Sequence, residues 1–154
     1  MSVAFRRESD EEHLEPRFEL PIPPGPNLVT ARGLRLIGER VAALEAETRD
    51  LPDGERRTER LREMRYWRQR LATAEVAPSF AGDEVAFGAR VRFRREGREQ
   101  AVTVVGHDEA DAAAGLVAFT APLARALMGA AVGDLVAFGG KAEAIEVLEV
   151  GSPD

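Results

Sequence analysis

The stretch DLPDGERR, at positions 50–57, places three carboxylates within six residues: Asp50, Asp53 and Glu55. Pro, Asp and Gly in succession are typical of a turn, because proline presets φ and glycine accepts positive φ. Carboxylate oxygens are also the ligands that Mg²⁺ prefers. The pattern therefore leaves two interpretations open: a capped and solvated polar turn, or an acidic tip that helps to hold a metal ion.

Two apolar stripes flank this turn and predict the elements that position it. Both recur at spacings of about 3 and 4, as in the a/d seam of a coiled coil. The first stripe consists of Leu34, Ile37, Val41, Leu44, Thr48 and Leu51, and the second of Leu61, Met64, Trp67, Leu71 and Ala74. With Thr30 as N-cap and Pro78 as the stop, we expect an antiparallel coiled-coil hairpin over residues 30–78. Each arm of about 20 residues is then about 30 Å long.

The narrowness of both seams favours a hairpin that projects into solvent over one that packs as ordinary core. Arg62, Arg65 and Arg70 flank or oppose the second seam, so they are expected to be solvated. Gly33 and Gly38 weaken the first turns of the first helix, by about 1 kcal/mol each relative to alanine.

The second half of the chain changes to a period of two. ARVRFRR, QAVTVVG, GLVAF, GDLVAF and EAIEVLEV predict about five strands, and APLARALMG predicts one short helix with Pro122 in its first turn and Gly129 at its end. We therefore expect an α+β fold, in which a strongly curved sheet with one short helix follows the hairpin. The expected boundaries are 1–29 for a disordered, Pro-rich extension, 79–150 for the sheet domain and 151–154 for a tail.

Composition limits the class of protein. The absence of cysteine excludes thiolate zinc sites and cysteine nucleophiles, and no apolar run approaches the roughly 18 residues that span a bilayer. The start of the chain is too charged for a secretory signal, so we expect a soluble, cytoplasmic protein without membrane contact. The serines lie in tails or between domains, His13 lies in the extension, and His107 is expected to be a turn residue. GGKA, at 139–142, lacks the spacing of a phosphate-binding loop. Enzyme signatures are therefore largely absent from the sequence.

The net charge of −6 is unevenly distributed. Residues 1–29 carry −3, residues 30–78 carry +2 and residues 79–154 carry −5. A mildly basic middle between acidic flanks argues against a general duplex-DNA binder. Local contact between the middle segment and a DNA or RNA phosphate backbone stays open.

Several motifs of the second half resemble, in order and spacing, the C-terminal domain of the Gre transcription elongation factors (GreA and GreB). The matching residues are Phe87-Gly88, Val105-Gly106, Asp108-Glu109, Pro122, Ala124-Arg125-Ala126-Leu127 and Val132-Gly133-Asp134. VTARGLRLI also resembles the start of the Gre coiled coil, and RLREM resembles part of the GreB second helix. Ala121 stands where that family usually has serine. The resemblance covers about residues 28–150.

The resemblance implies an FKBP-like C-terminal domain that docks on the β′ rim helices of RNA polymerase, with Pro122, Leu123 and Arg125 at the contact. It implies that the coiled coil enters the secondary channel. Arg56, Arg57, Arg62 and Arg65 would then face the nascent RNA or the channel wall. The protein would be a monomer when free and would not be an enzyme by itself.

For the tip, the resemblance implies that Asp50 and Asp53 help to hold the catalytic Mg²⁺ of the polymerase, with Glu55 as a reserve ligand. The polymerase then cleaves backtracked RNA, and the factor needs no cofactor of its own. Asp53 stands where the family has Glu, and Gly54 where it has Asn. Both arms are also shorter than in typical Gre factors.

Three alternatives follow. The first is a channel-occupying regulator without cleavage activity, similar to regulators of nucleoside diphosphate kinase. The second is a stand-alone FKBP-like prolyl isomerase, which requires an aromatic-lined pocket. The third is a partner-binding scaffold unrelated to transcription.

Overall fold

The computed structural model describes residues 19–153, and these form two compact units. The helical unit contains residues 37–73 together with the described residues up to Gly25. The sheet unit contains residues 26–36 and the described residues from Ala74 onward. Residues 1–18 of the expected disordered, Pro-rich extension, which include His13, and the last residue of the chain lie outside the described residues.

Two long helices carry the predicted turn between them. Helix α1 spans Ala31–Asp50 and helix α2 spans Glu55–Thr73. Thr30 caps α1 as predicted, because its Oγ1 accepts a hydrogen bond from the Gly33 amide at 2.9 Å. Most of the first stripe is confirmed, since Ile37, Val41, Leu44 and Thr48 are all buried. Its end members Leu34 and Leu51 are half-buried, and Leu51 lies just after the end of α1.

The second stripe is only partly correct. Met64 is buried and Trp67 is half-buried, but Leu71 is 38% exposed. Arg70, expected in solvent, is only 2% exposed. At 100° per residue Arg70 lies about 120° around the helix from Met64, so α2 is buried in a second direction. The long aliphatic stem of arginine allows such burial, and a pattern that counts only apolar residues cannot detect it.

The expected stop at Pro78 is wrong, because α2 ends five residues earlier, at Thr73. Strand β2, Glu75–Val76, instead pairs in parallel with strand β1, Leu28–Val29. The amide of Glu75 donates to the Asn27 carbonyl, and that of Ala77 to the Val29 carbonyl, each at 2.9 Å. Residues 28–29, assigned to the extension from the sequence, therefore belong to the sheet unit. A strand of two residues is too short to show an alternation of apolar and polar residues, so the sequence pattern could not reveal β1 and β2.

The five predicted strands form one sheet, and the α+β class is confirmed. They are β3 (Arg90–Arg95), β4 (Arg98–Val105), β5 (Leu116–Ala118), β6 (Leu135–Phe138) and β7 (Lys141–Gly151). Their order in the sheet is β5-β4-β3-β7-β6, with only the β4–β5 pair parallel. Register shifts between β3 and β7 and between β6 and β7 bend these strands, as expected for a curled sheet.

The core of the sheet unit consists of alternate strand residues and the short helix α3, Pro122–Leu127. Val91, Phe93, Val104, Ile145 and Val147 are at most 1% exposed. Ala124 and Leu127 of α3 are fully buried against the same core, and Pro122 occupies the first turn as predicted. Among the described residues, no helix combines the length and apolar character needed to cross a membrane.

Candidate functional site

The three acidic residues of the tip lie at the turn between the two long helices. Asp50 is the last residue of α1, Glu55 is the first of α2, and the loop between them contains Asp53. All three are exposed, and the Asp53 side chain is fully so. Gly54 adopts φ +151°, which a side chain would disfavour. The sequence therefore placed these carboxylates correctly.

Arg57 contacts both the end of α1 and the turn itself, a role that the sequence analysis missed. Its Nε donates a hydrogen bond to the Thr48 carbonyl at 3.2 Å, near the C-terminal end of α1. A cation at this end also complements the helix dipole. The Arg57 Nη1 lies 3.9 Å from Asp53 Oδ1, a loose ion pair. The i,i+4 spacing in the sequence could have suggested the ion pair between Asp53 and Arg57, but not the hydrogen bond from Arg57 to Thr48.

The tip could contribute only part of a metal coordination sphere. Within residues 19–153, no group of three or more His, Cys, Asp or Glu side chains is arranged to hold a metal ion. Mg²⁺ requires six oxygen ligands in near-octahedral geometry and usually takes one or two carboxylates from a protein. Exposed Asp50 and Asp53 fit that role, provided that another macromolecule and water supply the remaining ligands.

The four arginines that were expected to face RNA or the channel differ in their surroundings. Arg56 lies 3.7 Å from Glu47, Arg57 approaches Asp53, and Arg65 binds Glu19. Arg62 differs, because its Nε is buried and has no hydrogen-bond partner. Three of these guanidinium groups therefore already face carboxylates.

Other ion pairs link α1 to α2. Arg40 binds Glu63 at 2.9 Å, Arg68 binds Glu45 at 2.9 Å, and Arg60 bonds to both Glu47 and Glu63. The hydrogen bond with Glu47 and the charge of Glu63 raise the pKa of Arg60 above its usual range. Thr48 Oγ1 also lies 3.9 Å from Met64 Sδ, so a polar step interrupts the apolar seam.

The region expected to dock on polymerase divides into exposed and packed residues. Pro122 and Arg125 of α3 are exposed, whereas Leu123 is half-buried and packs on the core. Close to them in sequence, Met128, Val132 and Leu135 are exposed apolar residues. The sequence analysis did not predict that these three are exposed, because local spacing beside a turn does not show which apolar residues stay uncovered.

Sequence comparison identifies the family. Residues 80–152 match the family described as "Transcription elongation factor, GreA/GreB, C-term". Transcription elongation factor GreB of Neisseria meningitidis serogroup B is 41% identical over 113 residues, which cover 68% of this chain and 69% of that protein. The chain belongs to the GreA/GreB family. The resemblance seen in the sequence is thus confirmed.

Other relatives cover less. GreA of Rhizobium etli strain CIAT 652 is 40% identical over 85 residues, so the chain spans 54% of the length of that GreA relative. Two solved structures are also similar, each with a TM-score of 0.40. GreA/GreB from Nitrosomonas europaea is 24% identical and covers 80% of this chain and 98% of its own. GreA factor homolog 1 of Thermus thermophilus is 15% identical, and the match covers 83% of this chain and 100% of its own. A TM-score of 0.40 is too low for these two structures to support the family assignment.

Within the sheet unit of this GreA/GreB family member, two of the matching motif residues hold the start of α1. A Cβ on Gly106 would lie 2.3 Å from the Leu28 carbonyl oxygen, so only glycine allows strand β1 to approach this closely. Glu109 is buried; it accepts hydrogen bonds from Thr30 Oγ1 at 2.6 Å and from Arg32 Nη1 at 2.9 Å.

The sheet unit also contains an open cavity of about 470 Å³. Its wall includes the aromatic rings of Phe80 and Phe87, and its polar corner is formed by Thr30, Arg32 and Glu109. The carboxylate of Glu109 is already satisfied by its two neighbours. This volume is within the usual range of small-ligand pockets.

His107 lies in a turn, as predicted. Its Nε2 is 3.2 Å from Thr120 Oγ1, and its ring contacts Phe119 edge-on at 5.7 Å between centroids. These neighbours give His107 a packing role.

Proposed function

We propose that this chain is a transcription elongation regulator that binds RNA polymerase at its secondary channel. The observation that carries the proposal is the placement of exposed Asp50 and Asp53 at the turn between α1 and α2 in a GreA/GreB family member. The sheet unit, with an FKBP-like arrangement, serves as the anchor on the β′ rim helices through Pro122 and Arg125. The two helices form a coiled-coil hairpin that enters the channel.

Contacts between the helices support the coiled-coil interpretation. The buried residues of α1 recur with heptad spacing, and Arg40–Glu63 and Arg68–Glu45 join α1 to α2 along their length. Flanking ion pairs of this kind are typical of e and g positions. At 20 residues, α1 is about 30 Å long.

The carboxylates of Asp50 and Asp53 would help to hold a Mg²⁺ ion in the polymerase site. When bound, this ion supplies charge stabilisation and an activated water for cleavage of backtracked RNA. The tip residues position their oxygens and contribute negative charge, and Arg57 keeps the turn closed. The protein therefore acts by completing or modulating the active site of polymerase, has no cofactor of its own and works in the cytoplasm as a monomer.

The experiment that tests this proposal uses a stalled, backtracked elongation complex with and without the full-length protein. Faster release of short 3′ RNA fragments would support cleavage stimulation. Slower nucleotide addition without cleavage would support the channel-occupying alternative, in which the short arms do not reach the metal. If the protein neither binds polymerase nor changes either rate, the proposal is wrong.

The cavity beside Phe80 and Phe87 favours prolyl isomerisation as a second candidate function, because that reaction requires an aromatic-lined pocket. The single tyrosine and the single tryptophan of the chain, Tyr66 and Trp67, lie on α2 and not beside this cavity. A peptidyl-prolyl assay with a short Pro-containing peptide distinguishes the two candidates. Turnover above the uncatalysed rate would favour the isomerase.

A further inference from the structure

A carboxylate from the segment before β1 binds an arginine of α2. Glu19 Oε1 accepts from Arg65 Nη2 at 2.6 Å and from Nε at 3.0 Å, and Oε2 lies 3.2 Å from the same Nε. Both side chains are about half exposed. The pair lies within the helical unit but joins positions 46 residues apart in the chain.

Two arginines, Arg65 and Arg62, make the electrostatic surroundings of Glu19 positive. The hydrogen bond from Arg65, together with the charges of Arg65 and Arg62, holds the pKa of the Glu19 carboxyl below its usual value. The same bond raises the pKa of Arg65. Helix α2 carries seven arginines and three glutamates, whereas residues 8–19 carry six acidic residues and one arginine. The segment before β1 is therefore net negative, whereas α2 is net positive.

We infer that Glu19 is an internal competitor that occupies Arg65 in place of a backbone phosphate of single-stranded RNA. This inference rests on the proposed function, in which the arginines of α2 face nascent RNA. A guanidinium group binds carboxylate and phosphate with the same two-pronged geometry, so each can replace the other at Arg65. Glu19 would thereby restrain RNA binding until a phosphate backbone displaces it.

The half-exposed position of the pair makes this exchange feasible. An exposed ion pair contributes little to stability, so displacement of Glu19 requires little free energy. RNA gains from the release of its own counterions, which favours it at low salt. Glu19 has the opposite advantage, because its attachment to the same chain gives it a high effective concentration at Arg65.

The test measures the affinity of the full-length protein for a fluorescent single-stranded RNA by anisotropy at low salt. We expect Glu19→Gln to tighten binding about two- to fivefold, the range expected for loss of one exposed pair. Asp83→Asn changes the net charge equally at an exposed position elsewhere in the sequence, and it should leave affinity unchanged. The effect of Glu19→Gln should also disappear in an Arg65→Gln background.

Several outcomes would overturn the inference. Equal RNA affinity of the wild type and Glu19→Gln would exclude competition, as would an equal gain from Asp83→Asn. Undetectable RNA binding by both proteins would also exclude it. If Glu19→Gln strengthened binding to polymerase alone, the competitor would be an acidic protein surface and RNA would be excluded. None of these results affects the proposed function, which the cleavage assay decides separately.

Discussion

Gly33 lies against the carboxylate of Glu109, and a Cβ at position 33 would be 2.9 Å from Glu109 Oε1. The two residues are far apart in sequence, yet Glu109 is held in place by Thr30 and Arg32, which come just before Gly33 in the chain. The glycine that the sequence marked only as a weak helix former therefore has a structural reason. It makes room for the buried carboxylate that fixes the first turn of α1 within the sheet unit.

The two glycines of α1 consequently provide a matched pair of variants. A Cβ on Gly38 meets nothing within 4 Å, so we expect Gly38→Ala to raise the free energy of unfolding by about 1 kcal/mol. Gly33→Ala should instead lower the free energy of unfolding by about 1 kcal/mol. The new Cβ displaces Glu109, and the loss of its charged hydrogen bonds, about 1.5–3 kcal/mol, exceeds the gain in helix propensity. Urea unfolding followed by circular dichroism measures both. Equal stabilisation by the two variants would mean that Glu109 moves aside without loss.

Variants of Leu123 and Arg125 distinguish an effect on folding stability from an effect on binding to polymerase. We expect Leu123→Glu to lower the free energy of unfolding by about 2 kcal/mol, because it places a charge against the core. Arg125 is exposed, so Arg125→Glu should change stability by less than about 0.5 kcal/mol while weakening polymerase binding about tenfold. Arg98→Glu, a reversal at another exposed position, is the control. Polymerase affinity that is the same for Arg125→Glu and Arg98→Glu would remove Arg125 from the interface.

Asp50 and Asp53 decide between cleavage and channel occupation. If the tip reaches the metal, replacement of both by Asn should slow stimulated cleavage more than about 100-fold, since a metal ion supplies several kcal/mol of charge stabilisation. Affinity for polymerase should stay nearly unchanged, because Asn keeps the size and turn-forming bonds of Asp. Glu55→Gln should have a smaller effect. Unaltered cleavage by the double variant would assign the reaction to other groups.

Arg56, Arg57, Arg62 and Arg65 are expected to guide association electrostatically. Substitution of all four by Gln should lower the rate of polymerase association and flatten its dependence on salt. Stopped-flow binding at several salt concentrations measures both quantities. The gain from these charges is limited, because Glu47, Asp53 and Glu19 already face three of them. A salt dependence identical to that of the wild type would show that these arginines serve only their internal pairs.

The pair of Glu19 and Arg65 should respond to pH with a defined sign. Because Arg65 lowers the pKa of Glu19 below its reference value of 4.5, the contact contributes stability at pH values above that reference. This contribution is lost as the pH falls through the lowered pKa. Side-chain NMR titration of Glu19 should therefore show a lower pKa in the wild type than in Arg65→Gln. Identical titration curves would show that the pair does not persist in solution.

The sequence by itself determined the elements whose signals are local. Periods of 3 to 4 residues identified α1 and most of α2, and alternation identified the five strands of the sheet. Turn chemistry placed Asp50, Asp53 and Glu55 at one exposed end, and the motifs around Gly106 and Arg125 indicated the family. These features succeed because backbone geometry repeats over a few residues, so neighbouring positions carry the information.

Only the tertiary structure decided which polar residues meet across the chain. The parallel pairing of Leu28 with Glu75, the burial of Arg70, the contact of Gly33 with Glu109 and the binding of Glu19 to Arg65 leave no trace in local spacing. Each depends on packing between segments that are distant in sequence. Polar partners can also lie at any position of a helix or turn, whereas apolar residues must follow its buried face. Long-range polar contacts are therefore settled by the folded arrangement.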